Sequence, residues 1–185
     1  MSSDPESNLA DLVQRVANVL SSAHECLELL VSPPEGLPRF VVAERLFPLG
    51  SLLVPGLLEV LTSGEADDEL RGLAALLGFA AGENEEFAME LLRQVESDGP
   101  FAALAARRLA QAEFTGIAGT IEAAIRRLAP SSPDEIVAYL DSLCLVGYLD
   151  SLCLVSDVLP TDLRQLLLDS GDWRIEEAVM GLFPA

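Results

Sequence analysis

The chain has no lysine, one histidine, three cysteines and ten aromatic residues in 185, and each shortage removes a class of function. With eleven arginines as its only strong bases against 30 acidic residues, the formal charge is −19. A phosphate-backbone binder needs a basic face that releases counterions, so nucleic acid is excluded as the expected partner. One histidine, His24, cannot stage histidine acid–base catalysis with a second, and it sits in a helical stripe beside Leu20, Leu27 and Glu28, where a boundary between core and solvent explains it. No HxxxH pair, zinc spacing, DxDxDG loop or glycine-rich phosphate loop is present, so no metal and no cofactor is expected.

Cys26, Cys144 and Cys153 are an odd number without a CxxC pair, which fits a reducing compartment better than a disulfide framework. The opening Met1-Ser2-Ser3-Asp4-Pro5-Glu6 is acidic and polar, unlike a signal peptide. The longest apolar run, Leu46 to Leu58, is short for a membrane span and contains Pro48 and Pro55. A cytoplasmic protein with no membrane partner is the expectation. Half of the residues are nevertheless apolar, too many for a disordered acidic chain.

What is present is helical periodicity almost throughout. The first helix is predicted from Pro5, with Leu9, Leu12, Val13, Val16, Val19, Leu20, Ala23 and Leu27 on one stripe, ending before Pro33-Pro34. Breaks are predicted at Ser63-Gly64, Gly82, Asp98-Gly99-Pro100, Gly116 to Gly119, Pro130 to Pro133, Pro160 and Gly171. Asp67-Asp68-Glu69 and Glu83, Glu85 and Glu86 fall at predicted helix starts, where carboxylates accept from free N–H groups and meet the positive end of the dipole. That role accounts for them better than paired acid–base catalysis.

Between the breaks the chain repeats. Leu27-Glu28-Leu29-Leu30, Leu58-Glu59-Val60-Leu61 and Met89-Glu90-Leu91-Leu92 recur at a spacing of 31, and Ala43, Ala74 and Ala105 keep the same spacing 15 residues further on. Each unit reads as a first helix, a short loop and a second helix, and a fourth unit follows one residue out of step with Ile121 to Ile125 and Glu135 to Leu140. A helix pair of this length cannot bury its apolar stripes alone and must stack on a neighbour. If the stacking is regular, Glu28, Glu59 and Glu90 share one environment. A non-repetitive bundle rich in Leu and Ala is the alternative.

The segments Leu52 to Leu61 and Asp67 to Gly78, with Pro55 in the first helix, an acidic turn, and Arg71, Ala74 and Leu77 on the second, resemble HEAT repeats of the short bacterial kind. Arg39, Ala43 and Leu46 fit with a one-residue shift, while Ala102 stands where Arg71 would align. The resemblance, over roughly residues 20 to 140, implies an all-α, right-handed α-solenoid of stacked antiparallel helix pairs, armadillo-like, with units near 5–50, 51–82, 83–116 and 117–146. Residues 141–185 then form C-terminal capping helices, Asp162 to Leu168 and Trp173 to Phe183. In that part Tyr139-Leu-Asp-Ser-Leu-Cys-Leu-Val146 recurs as Tyr148-Leu-Asp-Ser-Leu-Cys-Leu-Val155. Nine residues turn a helix by about 900°, half a turn out of phase, so a bend is predicted at Gly147. A slipped duplication is the preferred origin.

Positions two residues from the alanine series lie about 200° round the helix and are predicted to face an inner groove: Val41, Arg45, Gly72, Leu76, Ala103 and Arg107. The alternative is that the second helices pack on both sides, which would make Leu76 ordinary core. A non-enzymatic protein–protein interaction module is the expected function, immunity- or inhibitor-like or an adaptor, holding a basic protein or peptide along the repeat face. The resemblance also admits a lyase-like enzyme or accessory protein. A glycosylase, which it admits too, would need a basic, aromatic groove. A subunit of a homo-oligomer, burying exposed Leu and Ala, is the third reading.

Overall fold

A computed structural model describes residues 22–82, 84–129, 131–149 and 159–183, and the backbone alone at 147–149. The predicted start of the first helix and most of the second copy of the duplication lie outside the described residues. Every regular element among the described residues is helical, and they contain no strand. The chain divides into two compact units, 1–87 and 88–185, with the division inside the helix Glu85–Glu96.

In the first unit α1 occupies 22–31 and ends before Pro33, as the proline pair dictates. α2 (Arg39–Leu46) runs into a 3₁₀ segment, Phe47–Leu52, and then α3 (Val54–Thr62) and α4 (Asp68–Ala81) follow. The apolar run that contains Pro48 and Pro55 is folded rather than straight. Gly50 takes φ 46°, ψ −122°, and the segment Arg39–Leu52 meets α3 at 115°. Among the described residues no single helix is long and apolar enough to cross a membrane.

α4 packs against α3, α2 and the 3₁₀ segment. It can do so because nearly every side of it is apolar or small: Leu70, Gly72, Leu73, Ala74, Ala75, Leu77, Gly78 and Phe79 are all buried. Its start is fixed by Asp67, whose Oδ1 accepts from the Leu70 N–H at 2.8 Å, with Asp68 and Glu69 in the first turn. α5 (Glu85–Glu96) is started by Asn84 Oδ1, accepting from the Glu86 N–H at 2.8 Å, and Glu85 and Glu86 occupy its first turn. Glu83 lies outside the described residues.

The second unit holds the end of α5, then α6 (Ala102–Gln111), α7 (Ile117–Leu128), α8 (Pro133–Leu149), α9 (Thr161–Leu168) and α10 (Trp173–Leu182). α8 is its centre, touching α6, α7 and α10, and α9 packs on α10. Ile136, Tyr139, Leu140 and Leu143 of α8 are buried with Ile121 and Ile125 of α7 and with Ile175, Val179 and Phe183 from the C-terminal end.

Two expectations are corrected here. α8 continues through Gly147 to Leu149, so the helix is not broken at that glycine. A glycine with helical neighbours on both sides costs only about 1 kcal/mol and does not by itself end a helix. The break near Gly119 likewise narrows to Gly116, which takes φ 85° just before α7 begins.

Both alanine and glutamate series are resolved. Ala43, Ala74 and Ala105 are all buried on the second helix of their pairs. Glu28 and Glu59 are exposed, but Glu90 is only 5 % exposed, so the three glutamates do not share one environment. Arg93 Nη2 reaches Glu90 at 2.8 Å and Gln94 Nε2 reaches it at 3.1 Å. The positions matching Arg93 in the earlier units are Val31 and Thr62, which offer no cation, so only the third unit can neutralise a buried carboxylate there.

Candidate functional site

The six groove positions fall four in the first unit and two in the second. Arg45 and Arg107 are exposed, Val41, Leu76 and Ala103 half-buried, and Gly72 is buried. Gly72 is buried because α4 packs against α3, α2 and the 3₁₀ segment, so a position about 200° round from one contact meets another.

A cleft in the first unit gathers residues that the spacing of 31 had linked. It holds about 890 Å³ between α1 and α3. Glu25 and Glu28 stand on one face of α1, three residues apart, and Glu59 stands on α3. Leu29 and Val31, both more than two-fifths exposed, and Val60 line it with apolar surface. At Gly56 the tip of the Leu27 side chain occupies the place a Cβ would take. Among the described residues Glu25 and Glu59 form no ion pair, and Glu28 meets only His24, Nε2 to Oε1 at 3.5 Å. His24 is 76 % exposed on the rim of the cleft, further into solvent than a core boundary.

Arginines elsewhere are spent on the fold. Arg39 Nη1 holds Asp67 at 2.8 Å and Glu69 at 3.2 Å, and its Nη2 donates to the Val31 carbonyl at the end of α1. Arg71 donates to the Leu61 carbonyl near the end of α3 at 3.0 Å. Each therefore satisfies an orphan carbonyl at the C-terminal, negative end of the preceding helix. Arg126 pairs with Glu122 and Asp162, and Arg174 with Asp134 and Asp172. Arg45 and Arg107 have no ion pair or hydrogen bond among the described residues. The bonding guanidiniums hold the Asp162 and Asp172 carboxyls below the ordinary range, and at Asp67 the Leu70 N–H leads and Arg39 follows.

A second concavity lies in the second unit, where α8 meets α10. It comprises a pocket of about 570 Å³ bearing Trp173 and a smaller one of about 370 Å³ bearing Arg107, and Asp141 and Leu182 line both. No signal but the single tryptophan after a capping aspartate marks this place in the sequence.

The remaining reactive groups have little reach. The Tyr139 hydroxyl is buried, finds no partner among the described residues, and is pushed up to about 12, first by burial and then by Asp98. Burial also pushes the Cys144 thiol up, which keeps it protonated at neutral pH. Among the described residues no three His, Cys, Asp or Glu side chains could hold a metal ion.

Comparison with family models, with curated proteins and with solved structures found no match to the chain.

Proposed function

We propose that the protein is an acidic, non-enzymatic interaction module working in the cytoplasm, built of antiparallel helix pairs that resemble a HEAT-like, right-handed solenoid but whose repeat is not regular at the third pair, where Glu90 is buried while Glu28 and Glu59 are exposed. It holds a basic protein or peptide as an inhibitor or adaptor does. The observation that carries the reading is the α1–α3 cleft, where Glu25, Glu28 and Glu59 surround exposed Leu29 and Val31 and have no arginine partner among the described residues. Uncompensated carboxylates above an apolar floor suit an amphipathic helix with one basic face. The first unit as a whole carries 4 basic against 15 acidic residues, a net of −11, which steers such a partner from a distance.

Titration with a synthetic amphipathic peptide of Lys and Leu tests this. Binding is expected at low salt, to weaken as salt rises, and to be lost in the Glu25→Lys, Glu28→Lys, Glu59→Lys triple variant. Failure to bind, or binding indifferent to both salt and the triple variant, defeats the reading.

Exposed Phe40, Phe47 and Leu52 favour a second reading, a subunit of a homo-oligomer. Mass that rises with protein concentration, and falls back in Phe40→Ser, Phe47→Ser, would establish it in place of the first.

A further inference from the structure

Among the described residues, the most exposed of the large apolar side chains is far along the chain from the α1–α3 cleft. Trp173, the only tryptophan, is 68 % exposed at the first position of α10. It is held there from both sides. Asp172 accepts from the Arg174 N–H at 2.9 Å and grips the Arg174 guanidinium, which reaches Asp134 on α8 at 2.8 Å. The indole is thus presented on a fixed helix start and not on a wandering loop.

The charge left unpaired around it is acidic. Asp141 and Glu177 line the Trp173 pocket and form no ion pair among the described residues, whereas Arg174, the cation of that pocket, is taken by Asp134 and Asp172. An indole face beside two open carboxylates attracts a planar cation by stacking, cation–π contact and charge pairing together. Beyond Asp141 and Leu182 the trough continues to Arg107, which is exposed and has no partner among the described residues.

We infer that the α8–α10 trough is a second docking site, which takes a short peptide segment with an arginine seated on Trp173 between Asp141 and Glu177 and with a carboxylate further along at Arg107. The polarity fixes the direction in which the segment lies. This site is independent of the α1–α3 cleft and stands or falls without it.

Trp173 supplies its own readout. The probe is a blocked peptide, acetyl-Arg-Ala-Leu-Leu-Glu-amide, added to the full chain while tryptophan emission is followed. A saturable shift is expected, with the midpoint moving about tenfold in Asp141→Asn, Glu177→Gln, in keeping with the loss of two partly exposed ion contacts while the indole stays in place. Arg107→Gln should weaken this probe but not its Gln-for-Glu analogue. Calorimetry on Trp173→Phe and Trp173→Ala, with helicity checked by circular dichroism, should place the alanine variant weakest. An unsaturable emission change, an unmoved midpoint in the double variant, or an emission shift produced by raising the chain's own concentration without peptide would each overturn the inference.

Discussion

The Arg127 guanidinium donates to the Val95 carbonyl at 2.9 Å, so α7 closes the C-terminal end of α5. In the first unit that task falls to Arg39 at Val31 and to Arg71 at Leu61. Ala102 stands where the third such arginine would align, and Arg127 supplies the guanidinium from another helix. It also grips Asp98 through Nη2 at 2.9 Å and Nε at 3.2 Å, and that pairing raises its own pKa. Orphan carbonyls at a helix end must be met from somewhere, and the position of the donor is freer than the need for it.

Arg127→Leu should therefore destabilise the second unit by about 1–2 kcal/mol, the loss of one part-buried hydrogen bond to a carbonyl plus an ion pair discounted because both partners are more than a third exposed. Urea unfolding measures it. If the units are built alike, adding Ala102→Arg to Arg127→Leu recovers part of the loss, and a further fall would show that they are not.

Gly78 lies in α4 where a Cβ would enter the ring of fully buried Phe87. Alanine at a helical glycine gains about 1 kcal/mol in propensity, while overpacking a core costs about 1–3. Because the ring has no solvent side to move into, the clash should win. Gly78→Ala is expected to lower the unfolding midpoint, and Gly78→Ala, Phe87→Leu to restore most of it. A stabilised single variant would mean that the ring yields.

Much of this was legible in the chain. Helix limits followed Pro33, Gly82, Pro133 and Gly171, because these residues act within a turn of where they stand. The alanine series marked three buried positions, since a small residue at constant spacing reports close helix approach. Glu90 and Gly72 were not legible from period alone. The first is buried because Arg93 lies one turn away, and the second because α4 has core on most of its circumference, which a two-sided reading of a helix does not allow for. The Trp173 site is not legible in the sequence because Asp141 lies on α8 and joins Trp173 and Glu177, one turn apart on α10, only when the two helices pack.

Acid should weaken the first unit through Asp67. Its carboxyl is held below the ordinary value of 3.8 by the Leu70 N–H first and by Arg39 next. A depressed folded pKa contributes stability that is present in full above the unfolded value and is lost as pH falls through the folded one. Asparagine caps a helix about as well as aspartate, so Asp67→Asn isolates the charge. The variant should be less stable than the parent at neutral pH by under about 1 kcal/mol, Asp67 being 57 % exposed, and the two should converge as the pH falls through the lowered pKa of the folded state. A gap that persists in acid would assign the effect to geometry instead of charge.

Arg45 offers the sharpest contrast between the α1–α3 cleft and the inner groove. It is exposed, and among the described residues it holds nothing, so Arg45→Glu should change stability by less than about 0.5 kcal/mol. A peptide docked between Glu25, Glu28 and Glu59 does not use Arg45, and removing a like charge from the first unit should leave binding of the Lys/Leu peptide unchanged or slightly tighter. Binding abolished by Arg45→Glu but untouched by the triple glutamate variant would put the partner along the second helices, because only there does a guanidinium on α2 meet it.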